Sequence, residues 1–554
     1  MAGELEGAMA RARSFALPTF AQRAIADARS GDAFPAAGLT AQVARQLVRD
    51  ERSADANPKR NLASFVTTWM EEEAVDLMQE ALDVNAVDED EYPSVRKFEN
   101  RCVAMLADLF HAPDGGRGAK AAGAATVGSS EAIFLGGLAM KIKWEERQAK
   151  KRDQPGADAG KPRGTPNLIM AGNVQVCWEK FCAYFDVEPR YVPNDADHLC
   201  LNVERALGMI DENTIGVCGI LGSTYTGHFE DIVALDAGVE ALKSKGLEVP
   251  IHVDGASGAF IAPFAFPDLQ WDFKLKNVVS INASGHKYGL VYPGIGWIVW
   301  RDWSMVPKKL IFTTNYLGAD LPSITINFSK GASQIVGQYY QFLRLGREGY
   351  TAIMSNLQRT KTFLTEKIAG TGCFRILSAD VGVPLVAFCL KPPEGGERRS
   401  FDEFDLADKL RERGWVVPAY SMPKDIKNMC PPPPPHPRPD PTLGPSLAHL
   451  APAPPHLRRA LTLPDPCRKL LRVVIREDMS HSLAEQLVED IEWALAYLET
   501  HFSFTKEDLE AHDRQVIDAV EAAKQGRWRS FAQKWSAHRT ESEVIKRIKH
   551  NGVC

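Results

Sequence analysis

The chain has 554 residues, more than one hydrophobic core of ordinary size accommodates, so a large unit and at least one smaller one are expected. With 45% hydrophobic residues, 25% charged residues and a formal net charge of −6, the composition is that of a soluble globular protein and gives no reason to expect a nucleic-acid partner. Ten scattered cysteines, with no Cys-x-x-Cys pair and no Cys/His cluster at zinc spacing, point to neither a disulfide framework nor a metal site.

No apolar run has membrane-spanning length and the N-terminus lacks the apolar core of a signal peptide, so the cytosol is the expected compartment. Arg11, Arg13 and Arg23 would suit an organellar transit peptide, but Glu4 and Glu6 count against one.

Residues 1–60 read as a polar, alanine-rich arm with helical pieces, after which Asn61-Leu62-Ala63-Ser64-Phe65 begins the large unit. A glycine turn and two hydroxyls in Thr126-Val127-Gly128-Ser129-Ser130-Glu131 open an apolar-periodic helix that runs towards Met140. From 167 to 301, short apolar runs (168–170, 215–221, 251–253, 278–281 and 296–300) alternate with helix-like segments such as 232–243. That alternation predicts a mainly parallel sheet covered by helices, with any ligand beyond the strand ends.

Past about 350 the pattern changes to a smaller α+β unit. It comprises an amphipathic helix over 401–413 ended by Gly414, a β-like run Trp415-Val416-Val417, and a strand Leu471-Arg472-Val473-Val474-Ile475-Arg476. A last helix carries Leu483, Leu487, Ile491, Leu495 and Leu498 on one face. Between these, residues 430–468 are proline-rich and suit neither helix nor sheet; an extruded, disordered loop and a gene-model error such as a retained intron both account for them. In the tail from 505, eight Lys/Arg against two Glu lie between Lys524 and Lys549. Trp528, Phe531 and Trp535 share one helix face there, the pattern of a calmodulin target, of a membrane-surface helix, or of a helix docked on its own protein.

Three stretches carry chemistry. Lys287, in Ser284-Gly285-His286-Lys287-Tyr288-Gly289, lies between two apolar runs, where a solvated charge is poorly placed. Burial lowers a lysine's pKa and frees its amine to form a Schiff base. Asp254 ends the run Ile251-His252-Val253, followed by the small residues Gly255-Ala256-Ser257 that leave room for a flat ring. The helix start at Gly128-Ser129-Ser130 offers N–H groups and hydroxyls to an anion. Singly, these are equally a structural lysine, an Asp-Gly turn and an ordinary helix cap. Together they supply what pyridoxal phosphate (PLP) needs: a Schiff-base lysine, an acid for the pyridine nitrogen and a phosphate site.

With Asn61-Leu62-Ala63-Ser64-Phe65, Asp90-Glu91-Tyr92-Pro93, Val127-Gly128-Ser129-Ser130-Glu131-Ala132, Ser284-Gly285-His286-Lys287 and Leu345-Gly346-Arg347-Glu348-Gly349-Tyr350, the chain resembles the PLP-dependent decarboxylases that include glutamate decarboxylase, the plant-type enzymes above all. The resemblance covers roughly positions 15 to 500 outside the proline-rich insertion. It implies an α/β chain of the PLP-dependent transferase type I fold, with a large domain over 61–350, a smaller C-terminal domain over 351–504, and the 1–60 arm packed across a dimer. The implied reaction turns L-glutamate into 4-aminobutanoate and carbon dioxide. By the same resemblance, Lys287 and Asp254 are catalytic, while Ser129, Ser130, His286 and Thr224 fix the phosphate end. Gln175 takes the ring-stacking position held by histidine in many relatives, and Ala256 is a further cofactor contact.

Ser329 would reach the phosphate of a neighbouring subunit, which makes the active unit a homodimer or a larger assembly such as a hexamer. Ser64, Phe65 and Asn85 would hold the distal carboxylate of the substrate, and Arg472 a substrate carboxylate. Ser64 read locally is equally a helix cap, and Arg476 could fill the arginine role in another register. The tail, ending Asn551-Gly552-Val553-Cys554, is similar to the calmodulin-binding tail of the plant-type enzymes, with Trp528, Phe531 and Trp535 as the implied contacts. Two other readings stay open: decarboxylation of aspartate or an aromatic amino acid, and a catalytically silent calmodulin-binding scaffold.

Overall fold

The structure is a computed structural model that describes residues 31–113, 121–153, 164–194, 199–314, 321–392, 399–422 and 469–501. The proline-rich insertion over 430–468 and the tail with Trp528, Phe531 and Trp535 lie outside the described residues. The described chain opens with α1 (Ala41–Arg52), α2 (Glu72–Glu80) and α3 (Pro93–Leu109), the last taking Pro93 in its first turn, where a missing N–H costs nothing. β1 (Ala122–Thr126) then leads through Gly128 into α4 (Ser129–Arg152). There follow β2 (Asn167–Ala171), α5 (Val176–Tyr184), β3 (Glu188–Val192), α6 (Val203–Gly208), β4 (Thr214–Ile220), α7 (Ile232–Leu242), β5 (Ile251–Asp254), α8 (Ala262–Ala265), β6 (Val278–Ala283) and β7 (Gly296–Trp300).

These strands form one seven-stranded sheet in the order β1-β7-β6-β5-β4-β2-β3. β7 runs antiparallel to both β1 and β6, and the other pairs are parallel. The sheet is therefore mainly parallel and the chain α/β, as the alternating apolar runs indicate. Strands β2, β4 and β5 are buried along their whole length, because helices cover both faces. Two glycines of β4 show how close that cover is. A Cβ on Gly216 would stand 2.5 Å from Met140 Sδ of α4, and one on Gly219, which faces the opposite side, 2.4 Å from Ile232 Cδ1 of α7.

The short hairpin β8 (Phe312–Thr314) and β9 (Leu321–Ser323) precedes α9 (Ser333–Gly370), a long helix broken at Gly346, where φ is +55°. Beyond it lie β10 (Phe374–Ile376), β11 (Leu385–Leu390), α10 (Glu403–Glu412), β12 (Ala419–Ser421), β13 (Lys469–Val474) and α11 (His481–His501). Their strands make an antiparallel sheet ordered β10-β11-β13-β12. On α11, Leu487, Ile491, Leu495 and Leu498 are buried and Leu483 is partly so, which makes the apolar stripe a packing face. The expected strand at Trp415-Val416-Val417 is not one: Val416 makes an isolated bridge to Asn61. Its N–H donates to Arg60 O at 3.0 Å and its carbonyl accepts from Leu62 N at 2.9 Å, so the strand proper starts after Pro418. The expected strand over 471–476 begins at Lys469 and ends at Val474, before Arg476.

Residues 61–68 stitch the two sheets together. Val474 N donates to Leu62 O at 3.0 Å on one side, and Thr67 N donates to His286 O at 2.9 Å on the other. Thr68 adds bonds to Glu477 and Asp478. This strap carries Ser64 and Phe65 past the turn that bears Lys287.

Candidate active site

β6 delivers the chain to a tight turn over 284–290 that presents Lys287. Gly285 and Gly289 allow that turn, since a Cβ on Gly289 would fall 2.5 Å from Gly285 O and one on Gly285 2.3 Å from Gln338 Oε1. Thr67 Oγ1 donates to the Lys287 carbonyl at 2.7 Å, and the Lys287 amine donates to Ser257 Oγ at 3.1 Å. The amine also lies 5.3 Å from the centre of the Phe65 ring. Burial pushes its pKa below the ordinary lysine value, Asp254 and Cys177 pull it up, Arg472 pushes it down again, and the net direction is down. An amine held this way is closer to the neutral, nucleophilic form than a surface lysine.

Asp254 sits at the end of β5, 5% exposed, beside the β6 residue Asn282 with which it is in register. Its Oδ2 accepts from Trp178 Nε1 at 2.9 Å, and its Oδ1 accepts from Asn282 Nδ2 at 2.9 Å and Ala256 N at 3.1 Å. A carboxylate has about four acceptor positions, so three N–H donors leave one for a ligand's N–H. Trp178, Ser257 and Asn282 are functional neighbours that reasoning from sequence missed. Asn282 alone had a signal, its place on the strand next to Asp254.

At the opposite end, Gly128 precedes the first turn of α4, with Ser129 and Ser130 as its first residues. A Cβ on Gly128 would come 3.2 Å from His286 Cε1, and one on Gly296 would come 2.4 Å from the Gly128 carbonyl carbon. Two glycines thus let the His286 ring and β7 close on the helix start. His286 Nδ1 accepts from Gly294 N at 3.4 Å and Ile295 N at 3.3 Å, so the ring proton is on Nε2, a donor with no hydrogen-bond partner among the described residues. Burial first, then the Lys287 charge, push the His286 pKa down to about 4, so the imidazole is neutral at physiological pH. Glu131, in the first turn of α4, accepts from Val127 N at 2.9 Å, Ile326 N at 2.8 Å and Asn327 N at 3.0 Å. It ties the helix start to the loop that exposes Ser329.

Arg472, on β13, points into the seam between the sheets and is 8% exposed. Its Nη2 donates to Ala63 O at 2.6 Å and its Nη1 to Thr224 O. The guanidinium lies 4.8 Å from the Phe65 ring centre and 5.5 Å from that of Tyr420, and its Nε is buried with no hydrogen-bond partner among the described residues. Arg476 is different. Its Nη atoms donate to the carbonyls of Asn61, Ser64 and Pro58, which makes it a buried anchor of the strap, and its Nε lies 3.6 Å from Asp478 Oδ1. Ser64 Oγ accepts from Val66 N at 3.1 Å, the local turn bond that a capping hydroxyl makes. Gln175 is the exposed N-cap of α5, accepting from Cys177 N at 2.6 Å, three residues before Trp178.

Asn85 is held by the segment that carries Ser329. Its side chain accepts from Lys330 N at 3.2 Å in a bridge to Gly331, next to exposed Ser329, and among the described residues no hydrogen bond links it to Ser64 or Phe65. Asn85 thus lies beside the segment that bears Ser329. Among the described residues no group of three or more His, Cys, Asp or Glu could hold a metal ion, and no helix is long and apolar enough to cross a membrane.

The donor set fits PLP. It offers a buried amine, a carboxylate with an acceptor position to spare, a glycine-opened helix start with two hydroxyls, and a neutral imidazole N–H. The unpartnered Arg472 Nε adds a cationic donor in the same seam. A model of the pyridoxal-dependent decarboxylase conserved domain matches residues 39–391, and the chain belongs to that family of PLP-dependent carbon–carbon lyases. Within it, the chain is 47% identical over 485 residues to a glutamate decarboxylase of Petunia hybrida, covering 87% of this chain and 86% of that one. It is 42% identical to glutamate decarboxylase 1 of Arabidopsis thaliana, covering 97% of each. A solved glutamate decarboxylase of Lactobacillus brevis superposes with a TM-score of 0.74 at 39% identity, covering 87% of this chain and 98% of that one.

Proposed function

We propose that the protein removes the α-carboxylate of L-glutamate, giving 4-aminobutanoate and carbon dioxide. The observation that carries this reading is Arg472, a buried guanidinium near the Phe65 and Tyr420 rings whose Nε has no hydrogen-bond partner among the described residues, in a chain similar to glutamate decarboxylases over nearly its full length. A fixed cation there suits an anionic substrate group and disfavours a flat apolar one.

Bound in this pocket, PLP supplies an electron sink for the pair released when the carboxylate leaves. Lys287 would hold the cofactor through its amine, which burial shifts towards the neutral, nucleophilic form. Asp254 holds a proton on the pyridine nitrogen. Ser129, Ser130, Thr224 and the His286 Nε2–H hold the phosphate end, Ala256 and Gln175 flank the ring, and Ser329 reaches the phosphate of a second copy of the chain. Arg472, with Ser64, Phe65 and Asn85, orients the two substrate carboxylates.

The remaining parts of the reading follow the same support. We take residues 61–350 as the large domain, 351–504 as the small one, the cytosol as the compartment, and a homodimer or homohexamer as the active unit. The basic, tryptophan-bearing tail supports calcium-dependent calmodulin binding through Trp528, Phe531 and Trp535. The test is carbon dioxide release by the PLP-loaded full chain offered glutamate, aspartate and tyrosine separately, with and without calcium-calmodulin. Glutamate turnover alone is expected, raised by calmodulin. Preference for aspartate or tyrosine would overturn the substrate, indifference to calmodulin would overturn the role of the tail, and a folded, inactive protein without a visible absorption band would favour the silent scaffold.

A further inference from the structure

Behind Asp254 lies a polar file that the reaction as described does not use. His252, two residues earlier on β5, is fully buried, and so are Ser280 and Asn282 of the neighbouring strand β6. His252 Nδ1 is 2.7 Å from Ser280 Oγ, and its Nε2 is 2.8 Å from Asn282 Oδ1. Asn282 Nδ2 in turn reaches Asp254 Oδ1 at 2.9 Å.

The protons in this file have one consistent placement. The Asp254 carboxylate accepts from Trp178 and Ala256 on its other sides, so the Asn282 amide must turn its NH2 towards it. Asn282 then presents its carbonyl oxygen to His252, which must carry its proton on Nε2. Burial lowers the His252 pKa and keeps the imidazole neutral, so Nδ1 is bare and Ser280 donates its hydroxyl proton to it. Every bond points the same way, Ser280 to His252 to Asn282 to Asp254, and each donor strengthens the next. We propose that His252 is a positioning residue for Asp254, acting through Asn282, and that this one-way chain holds the carboxylate in the state and orientation a protonated pyridine nitrogen requires.

The alternative, a histidine that merely fills the core, does not explain the side-chain choices. An apolar residue would fill the space without the cost of burying two ring nitrogens. Instead the fold is shaped around an imidazole: a Cβ on Gly136 of α4 would stand 2.6 Å from His252 Cε1 and 2.7 Å from its Nδ1. The Trp178 indole packs edge-on to the imidazole at 5.1 Å between ring centres while donating to the other Asp254 oxygen. Without His252, Asn282 Oδ1 loses the donor that holds it from behind, and the amide is fixed only by its bond to the carboxylate.

The proposal rests on reading Asp254 as the partner of the ring nitrogen, and the test separates the two. The full chain is loaded with PLP labelled with ¹⁵N in the ring. The pyridine ¹⁵N shift, the rate of cofactor release, kcat and KM are then measured for Asp254→Asn, His252→Leu, His252→Gln and Asn282→Leu. His252→Leu and Asn282→Leu are expected to move the ¹⁵N signal towards the unprotonated position. They should also speed cofactor release about tenfold and lower kcat, with KM within about twofold. His252→Gln, whose amide still offers a donor to Asn282, should recover most of both. If Asp254→Asn moves the signal while His252→Leu and Asn282→Leu leave it at the wild-type position, His252 is core filling and the proposal falls alone. If Asp254→Asn leaves the signal unchanged, the reading of Asp254 falls and takes the proposal with it. Should His252→Leu not fold, Ser280→Ala, which removes one small oxygen, decides: a smaller shift in the same direction supports the chain, and a wild-type signal overturns it.

Discussion

The two halves of the pocket are built on different principles. The cofactor half grows from adjacent strand ends of one sheet: Asp254 ends β5, Asn282 stands beside it on β6, and the turn after β6 brings Lys287 to Ser257. Its side chains are fixed by other side chains. The substrate half is a junction of remote segments, in which Arg472 of β13 meets Ala63 and Phe65 of the strap, Thr224 of a loop and Tyr420 of β12. Here the main anchors are backbone carbonyls. Changes in the first half should alter chemistry at little structural cost, whereas changes in the second should mix binding with the docking of the two sheets.

The sharpest break of the first half is Lys287→Ala. The buried Lys287 amine makes a single hydrogen bond among the described residues, so its loss should leave the fold nearly intact. Turnover should fall by roughly 10⁴-fold or more, with no visible cofactor absorption in the folded variant. Circular dichroism and carbon dioxide release check both parts, and near-normal product formation would sink the assignment of Lys287.

For the second half, Arg472→Gln and Arg476→Gln form a matched pair. The Arg472 variant should lose about 10²- to 10³-fold in kcat/KM for glutamate, because a bidentate cation is replaced by a weak neutral donor. The Arg476 variant should instead lose about 3 kcal/mol or more of stability, since it removes a buried guanidinium that donates to the carbonyls of Pro58, Asn61 and Ser64. Equal kinetic damage in the two would erase the distinction drawn between these arginines.

The same division explains what was legible in the sequence. Strands β2, β4, β5, β6 and β7 announce themselves as apolar runs because both faces of their sheet are covered. β1 is Ala-Gly-Ala-Ala-Thr and β3 is Glu-Pro-Arg-Tyr-Val, at the two edges of the sheet, and neither has the β-branched character that marks a strand. Trp415-Val416-Val417 has that character and still misleads, because its hydrogen bonds go to the strap. Asp254 and Lys287 are readable as neighbours because adjacent parallel strands end side by side. Trp178, 76 positions from Asp254, and Tyr420, beside Arg472 only through pairing of β12 with β13, carry no local signal of their place.

Glu131 tests the border between the halves. Its carboxylate gathers three N–H groups, two of them from the loop that leads to Ser329. Glu131→Ala should cost about 2–3 kcal/mol, as a hydrogen-bonded buried carboxylate is lost and its donors are orphaned. It should also weaken PLP retention, read as faster release of the cofactor on dilution. A variant that is less stable but keeps PLP as well as wild type would confine Glu131 to the fold.

The smallest expected effect belongs to Glu230, far from either arginine in role. Burial pushes its pKa up to about 8, against two backbone donors, Leu201 N and Ile220 N, that favour its ionised form. The folded state therefore binds a proton more tightly than the unfolded one, whose glutamate titrates near 4.5. The stability this contributes is fully present below about pH 4.5 and is lost as pH rises through about 8. Glu230→Gln has no proton to lose, so its melting temperature should change with pH less steeply than that of wild type across this window, by about a few degrees in total. Because Gln keeps one carbonyl acceptor, the variant should be less stable at the acid end and converge on wild type at the alkaline end. Parallel curves across the window would mean that Glu230 is already ionised in the folded protein, with its two N–H donors outweighing burial.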